Sequence, residues 1–352
     1  CSILDWLEAG VCDAVVGSDD AAGLLREVEA LNLFVVPLDE TRGRFRLHRL
    51  FADWLGHQLG VEAPDEVPGL HQRASVWFEQ QGMPFEAVDH ALAASDWATA
   101  KRLIKAHAGR LTAEGRVATL AEWLGRIPES HVAADPVLAI AAASTAATAG
   151  DLDRAERLAI SAEEEVAAGT PVTVPIASDV EIAAVRATIC LMRRDLAGAA
   201  RLARQAAQWE RDPSRERYGI GHVLWASALL WQDRCGEARD AIDEVWAGVE
   251  TVFIRVMAAG VLAVACFETG DLDRAERVAR HAIGVAEEHH VGPSPEMTLV
   301  HIALGGVLTE RADLDGAERH LDSGVELAAL WRVPAQVAYG QMLRARLYMS
   351  QG

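Results

Sequence analysis

Residues 263–275, AVACFETGDLDRA, decide the fold, because they place two alanines twelve positions apart on either side of a turn. Gly270 and Asp271 are residues that end one helix and begin the next. A small residue in each of two consecutive helices lets their backbones approach closely. This stretch therefore predicts a pair of packed helices joined by a short turn.

The same arrangement recurs along the C-terminal two-thirds of the chain. Successive pairs start again every 37 to 44 residues, and four more share the spacing: Ala143/Ala155, Ala187/Ala199, Ala226/Ala238 and Gly305/Ala317. Ala345 opens a sixth pair that is truncated at Gly352. One helix pair per repeat is typical of a tetratricopeptide-like α-solenoid. We therefore predict a mainly α fold, with repeats in residues 135–352 and a looser helical segment in 70–134 that opens the superhelix.

Residues 1–60 follow a different pattern, which predicts a small winged-helix domain. Short helical patterns fall at residues 3–7 and 11–16, and the Ser-Asp-Asp of residues 18–20 is a suitable N-cap for a helix ending near residue 32. The order then continues with a strand at 33–38, a turn at 39–43, a strand at 44–48 and a helix from 49 to about 59. Two prolines and a glycine mark residues 61–69 as a linker.

Composition excludes several classes of function. A net charge of −19 repels phosphate, so nucleic-acid binding is disfavoured, although four arginines on the wing keep it open as a lesser alternative: Arg42, Arg44, Arg46 and Arg49. The five cysteines lack CxxC spacing and are expected to be reduced thiols. No signal peptide or membrane-spanning run is found, which predicts a cytoplasmic protein.

Candidate sites are few, and no metal site or catalytic constellation is expected. HExxH and GxSxG motifs are absent, and Glu163, Glu164 and Glu165 are expected to form a solvated helix face. One helix carries aromatic and polar residues at helical spacing, with Trp231 following near the turn: Arg215, Tyr218, His222 and Trp225. Such a face suits a sugar or another small polar ligand. The alternative is that Trp225 and Trp231 are packing residues beside Ala226.

Two stretches resemble a known family. The sequences CSILD (1–5), CDAV (12–15), NLF (32–34) and FRLHRLF (45–51) resemble the winged-helix region of MalT-like transcriptional regulators. These are large ATP-binding regulators of the LuxR class, within the signal-transduction NTPases with numerous domains. The sequences LHQRA (70–74), WF (77–78), EAVDHALA (86–93) and DW (96–97) are similar to the helical segment that follows in that family.

The resemblance implies a segment of a larger regulator that senses an inducer and couples it to other domains. Family members place a P-loop NTPase before the winged helix and a DNA-binding helix-turn-helix after the sensor, but these 352 residues contain no Gly-Lys dipeptide and no basic recognition helix. The resemblance thus implies ATP or ADP, and DNA, only for the full-length protein. It implies a small-molecule inducer or a regulatory protein as partner, self-association on activation, and no enzymatic activity in this segment.

The alternative function is a protein–protein adaptor whose solenoid binds a peptide or a partner domain. A peptide groove would carry repeated Asn, Lys or Arg on successive first helices, and here those faces are mostly Ala, Leu and Val.

His48 is the residue that the resemblance ties to chemistry. The sequence Leu47-His48-Arg49 resembles the Met-His-Asp element of related NTPases, although Leu47 and Arg49 replace its Met and Asp. In that element the histidine contacts the β-phosphate of ADP, which implies that His48 stabilises a closed, ADP-bound state. The alternative is a histidine that packs at the end of a strand.

Overall fold

The computed structural model describes residues 1–31, 34–39, 43–113, 116–169, 179–210, 218–331 and 333–350. It divides the chain into two compact units, Cys1–His131 and Val132–Gly352. Within the described residues there are nineteen α-helices and one two-stranded sheet, which confirms a mainly α fold. None of the helices in these ranges is both long enough and apolar enough to span a membrane.

The first unit begins with two helices and a two-stranded wing. Its elements are α1 (Ala9–Val16), α2 (Ala21–Ala30), β1 (Val35–Pro37), β2 (Phe45–Leu47), α3 (Arg49–Glu62), α4 (Val67–Gln80), α5 (Pro84–Ala93), α6 (Trp97–Ala113) and α7 (Val117–Arg126), with α8 (Glu129–Ala133) at the boundary. The second unit holds the repeats. Its helices are α9 (Pro136–Ala149), α10 (Leu152–Ala167), α11 (Asp179–Met192), α12 (Leu196–Trp209), α13 (Ile220–Leu230), α14 (Cys235–Asp243), α15 (Val252–Glu268), α16 (Leu272–Glu288), α17 (Thr298–Glu310), α18 (Leu314–Trp331) and α19 (Pro334–Ser350).

The wing is an antiparallel pair in which Val35 lies opposite Leu47. Leu7 extends it, because the Leu7 N–H donates to the Phe45 carbonyl at 2.7 Å and the Phe45 N–H donates back at 2.9 Å. The helix expected at residues 3–7 is therefore wrong. Leu4 and Leu7 are buried, but Leu7 is paired with Phe45 and Leu4 lies beside a turn. Two apolar residues three positions apart are found in such a segment as well as in a helix, so their spacing alone does not predict a helix.

The predicted linker is shorter in the structure, because helices occupy both of its ends. Helix α3 continues to Glu62 and α4 begins at Val67, so only residues 63–66 separate them. Pro68 lies in the first turn of α4, where a missing backbone N–H removes no hydrogen bond of the helix. Pro68 thus marks the start of a helix, while Pro64 lies between the two helices.

The N-terminal residues pack against α4. The Trp6 ring meets Trp77 edge-on with centroids 6.1 Å apart, and meets Phe78 at 5.7 Å. The Arg73 side chain donates a hydrogen bond from Nε to the Val15 carbonyl at 2.6 Å. These contacts join the winged-helix elements to the helical segment within the first unit.

The small residues of the repeat pairs lie in the predicted helices, one in each partner. The nine paired alanines are all fully buried: Ala143, Ala155, Ala187, Ala199, Ala226, Ala238, Ala263, Ala275 and Ala317. At Gly305 even a methyl group would be too large, since a Cβ there would lie 2.6 Å from Leu321 Cγ and 3.1 Å from its backbone nitrogen. Ala345, on α19, is exposed.

Aspartates in the turns begin the second helix of most pairs. Asp151 accepts a hydrogen bond from the Arg154 N–H at 3.1 Å, and Asp271 accepts one from the Arg274 N–H at 3.1 Å. Such caps satisfy backbone donors that have no partner within the helix. Asp233 differs, because the residue at the start of α14 is Arg234, without a side-chain cap.

Candidate functional site

The second unit contains a cavity of about 150 Å³ formed by the first helices of successive repeats. On α13 the wall residues Ile220, Leu224 and Ser227, followed by Trp231 at the C-cap, recur every three or four positions, which places them on one side of the helix. Helices α9, α11 and α15 contribute Ser144, Ala147, Thr148, Ala184, Val185, Thr188, Leu191, Met192, Phe253 and Met257. The start of α19 completes the wall with Val333, Ala335 and Gln336.

The polar groups of this cavity are mostly hydroxyls, and most of these hydroxyls already donate a hydrogen bond to a helix carbonyl. Thr188 Oγ1 donates to the Ala184 carbonyl at 3.0 Å, and Ser227 Oγ donates to the Val223 carbonyl at 2.7 Å. By contrast, Gln336 Oε1 is buried and accepts no hydrogen bond. The wall contains no Asp, Glu, Lys, Arg or His among the described residues, so the cavity is uncharged.

His222 belongs to a different structure, the N-terminal cap of α13. The Glu210 side chain is only 4% exposed and lies 3.3 Å from His222 Nδ1. It also accepts hydrogen bonds from the Gly219 N–H at 3.1 Å and the Gly221 N–H at 2.8 Å. A carboxylate is favoured at this position because the first backbone N–H groups of a helix carry partial positive charge and lack partners.

The other residues proposed for the ligand face are dispersed. Tyr218 and Trp225 pack against the hydrophobic core, and the Arg204 guanidinium lies 5.3 Å from the Trp225 ring centroid. Trp231 does reach the cavity wall, and its ring also meets Tyr339 edge-on at 5.7 Å. Arg215 lies outside the described residues. The binding role of Arg215, Tyr218, His222 and Trp225 therefore stays a prediction, and among the described residues the cavity wall includes Trp231 but not Tyr218, His222 or Trp225.

His48 occupies the N-cap of α3 with its backbone fixed and its side chain exposed. Its N–H donates to the Phe34 carbonyl at 2.7 Å, and its own carbonyl accepts from the Phe51 N–H at 2.9 Å. The imidazole borders a cleft of about 760 Å³ whose wall also includes Arg46 and Arg49. The cleft is of mixed charge, because Asp5 and Asp53 also line it.

Two histidine pairs form that the sequence pattern did not reveal. His71 Nδ1 lies 2.8 Å from His90 Nδ1, and His301 Nδ1 lies 2.9 Å from His320 Nδ1. Both pairs are nineteen residues apart and join consecutive helices, and this shared spacing was the available signal. Burial, followed by the neighbouring histidine, lowers the pKa of His90 and of His301 to about 4. Within the described ranges, no three His, Cys, Asp or Glu side chains are grouped to hold a metal ion.

The cysteines are unpaired, and burial dominates their chemistry. All five are free thiols. Burial raises the pKa of the Cys12, Cys190, Cys235 and Cys266 thiols above the ordinary value. A thiol with a raised pKa is a poor nucleophile at neutral pH, which agrees with a packing role.

Comparison with known proteins agrees with this architecture at both ends of the chain. Residues 1–67 match the MalT winged helix domain, and residues 181–352 match the MalT-like TPR region. The chain belongs to the MalT-like family. A fold of this kind is also seen in the crystal structure of a signal transduction ATPase with numerous domains, with a tetratricopeptide repeat sensor, from Pyrococcus horikoshii. The structural match covers 97% of this chain and 52% of the other, at a TM-score of 0.59 and 11% identity, and it shows the fold alone.

Two curated relatives of this MalT-like chain differ in kind. It is 34% identical over 142 residues to the serine/threonine-protein kinase PknK of Mycobacterium tuberculosis, covering 40% of this chain and 13% of the kinase. It is 33% identical over 140 residues to the HTH-type transcriptional regulator MalT of Serratia proteamaculans, covering 40% of this chain and 16% of that regulator. The matched region thus spans less than a fifth of either relative.

Proposed function

We propose that this chain is the inducer-sensing and coupling segment of an ATP-dependent transcriptional regulator in the cytoplasm. The observation that carries the proposal is the combination of a MalT winged helix domain and a MalT-like TPR region in one chain. A small ligand or a partner protein binds the solenoid, and its binding is relayed to an NTPase domain and a DNA-binding domain outside these 352 residues. DNA contact and self-association on activation belong to the full-length protein.

The cavity supports a binding role. Its position across four successive first helices lets one ligand contact several repeats at once. Three of its hydroxyl groups, those of Thr148, Thr188 and Ser227, donate to helix carbonyls, and the described residues of the wall include no base to activate a hydroxyl, which favours binding over nucleophilic chemistry. A ligand that spans repeats favours one curvature of the solenoid over others, which is the form of coupling that a sensor requires.

A thermal-shift screen of the chain against metabolites and against peptides tests this function. A ligand at a hundred times its Kd stabilises the folded state by about 2.7 kcal/mol, which raises the melting temperature measurably. We expect a small metabolite to stabilise the chain. If neither metabolites nor peptides do so, the sensing function is wrong.

The second candidate is a protein–protein adaptor. The similarity to a protein kinase as well as to MalT favours it, because a segment common to both is compatible with more than one kind of effector. Stabilisation by peptides or partner domains, with no response to metabolites, would select the adaptor.

For His48 we propose the contact with the β-phosphate of ADP that the family resemblance implies. An exposed imidazole beside Arg46 and Arg49 at the rim of the cleft supports an anionic ligand there. In the full-length protein, His48→Ala should weaken ADP binding about ten- to hundred-fold, since a hydrogen bond to a charged group contributes roughly 1.5–3 kcal/mol. Equilibrium titration with ADP measures this. His57→Ala, which removes another exposed histidine of α3 outside the cleft wall, is the matched control, and an equal ADP affinity in both variants would contradict the role of His48.

A further inference from the structure

We propose that the solenoid cavity binds an uncharged, mostly apolar small molecule that donates a hydrogen bond to Gln336 Oε1. This inference rests on the proposed sensing function and names the class of ligand that the site accepts. It differs from the polar ligand suggested by the face of Tyr218 and His222, because neither residue is part of the cavity wall.

The position of Gln336 is the first reason. Its Oε1 is buried, accepts no hydrogen bond from the protein and belongs to a cavity wall. Buried acceptors without a partner are rare in folded proteins, because removing them from water costs free energy that no hydrogen bond returns. A donor supplied by a ligand would satisfy this oxygen.

The hydroxyl groups give the second reason, because three of the four in the wall donate their protons to the protein, Ser144 being the fourth. Thr148, Thr188 and Ser227 donate their protons to helix carbonyls, with Thr148 Oγ1 bonded to the Thr145 carbonyl at 2.9 Å. A hydroxyl whose proton is used in this way offers only lone pairs to a ligand. Together with Gln336 Oε1 these three oxygens form a set of acceptors, so the cavity favours a molecule that donates.

The remaining wall limits charge and size. Trp231, Phe253 and Met257 provide aromatic and thioether surface, which suits a planar or aliphatic ring. A charged group would lose its hydration without gaining an opposite charge, which excludes carboxylates, phosphates and ammonium groups. A volume of about 150 Å³ accommodates roughly one aromatic ring, as in apolar protein cavities of that size that bind benzene.

The chemistry can be tested with three probes of similar size on the intact chain. Benzyl alcohol carries a donor, toluene lacks it, and benzoate is charged. In calorimetric titrations we expect benzyl alcohol to bind about tenfold more tightly than toluene, the factor for one hydrogen bond, and benzoate not to bind. Equal affinities for benzyl alcohol and toluene, preferential binding of benzoate, or no binding of any probe would overturn the proposal.

Two variants at the cavity and one control variant connect these affinities with the site. Gln336→Met should remove the tenfold preference for benzyl alcohol and leave toluene unchanged. It should also raise the melting temperature of the unliganded chain, since an unpartnered buried acceptor is lost. Gln341→Met replaces an exposed glutamine of the same helix and should change neither quantity. Ala335→Leu fills the cavity and should abolish binding of both neutral probes.

The failure of this site and the failure of the sensing function can be distinguished. If a metabolite stabilises the wild-type chain and Ala335→Leu equally, the chain is a sensor whose ligand binds elsewhere, and the inference about the cavity is wrong. If benzyl alcohol retains its preference over toluene in Gln336→Met, another acceptor recognises the donor and the role of Gln336 is wrong.

Discussion

Single residues in the turns between paired helices adopt the left-handed backbone conformation. Each of the five repeat turns contains one residue with a φ between 60° and 88°: Gly150, Arg194, Asp233, Gly270 and Ala312. Only glycine takes this conformation without a penalty, which is about 1–2 kcal/mol for other residues. The repeats therefore tolerate strain at three of these turns, where the helices on either side hold the backbone in place.

Ala312→Gly should stabilise the second unit. The substitution removes the left-handed penalty at an exposed residue, while glycine costs roughly 0.5–1 kcal/mol through the entropy of the unfolded chain, so we expect a net gain of up to about 1 kcal/mol. Chemical denaturation measures the free energy of unfolding. Gly270→Ala is the reciprocal control and should lower it by about 1 kcal/mol, since a Cβ there meets no atom within 4 Å and the effect is purely conformational. A loss of stability in Ala312→Gly, or a gain in Gly270→Ala, would contradict this account.

The histidine pairs should make the chain less stable in mild acid. The pKa of His301 is about 4 in the folded protein, below its ordinary value of 6.5, so the unfolded chain binds the proton more readily. Stability is therefore complete above pH 6.5 and decreases as the pH falls towards 4. For His301 alone the loss at pH 5 amounts to about 2 kcal/mol. Burial lowers the pKa of His320, Arg280 and Arg319 lower it further, and the Asp313 carboxylate opposes them.

Melting curves at pH 7, 6 and 5 test the titration of the histidines. Replacing both His301 and His320 by leucine should flatten the pH dependence of the melting temperature. Replacing the exposed His281 by leucine should leave this dependence unchanged. The pair His71 and His90 should behave in the same way, because burial, followed by the charge of Arg126, lowers the pKa of His71. An unchanged slope in the double variant would show that carboxylates, and not this pair, control the acid response.

At the level of elements, the close approach of α17 and α18 depends on Gly305. Gly305→Ala should destabilise the chain by about 1–3 kcal/mol, because the added methyl group would overlap Leu321 at 2.6 Å. Gly284→Ala, within α16, adds a methyl group where no atom lies within 4 Å, and should stabilise the chain by about 0.5–1 kcal/mol through helix propensity. Denaturant unfolding of the two variants compares them directly. Equal effects would show that α17 and α18 can separate without cost.

The repeat helices could be predicted because their signals are local. Small residues at a fixed spacing and a capping aspartate at the turn determine where each pair bends, as at Gly270 and Asp271. Elements that depend on distant partners were not predictable in this way. Leu7 is held by a hydrogen-bonded bridge to Phe45, nearly forty residues later. Likewise, the sequence of α3 has the period of a helix, but its exposure could not be predicted from a local pattern. None of its residues is buried, and Trp54 is 53% exposed.

In the molecule as a whole, the candidate site could be predicted only in part, because it too depends on residues that are distant in the sequence. The spacing of residues along the sequence describes one helix at a time. It indicated Trp231, near the end of α13, which the structure places in the cavity wall. The cavity, however, combines residues from Ser144 to Gln336, which come together only when five helices pack. His222 shares a helix with the cavity residues, yet it pairs with Glu210, whose position in the preceding segment gave no signal. Burial of an unpartnered acceptor at Gln336 becomes visible only in the folded solenoid.

The central claim is that ligand binding to the solenoid is coupled to the nucleotide state of the regulator. The most direct test is the Kd of the stabilising ligand for the full-length protein, measured with and without saturating ADP. Coupling between two sites is reciprocal, and its usual size of about 1–3 kcal/mol corresponds to a roughly 5- to 150-fold change in affinity. We predict that ADP, which favours the closed state, weakens ligand binding by a factor in this range. Equal dissociation constants with and without ADP would contradict the account, because a ligand that binds both states equally well cannot shift the equilibrium between them.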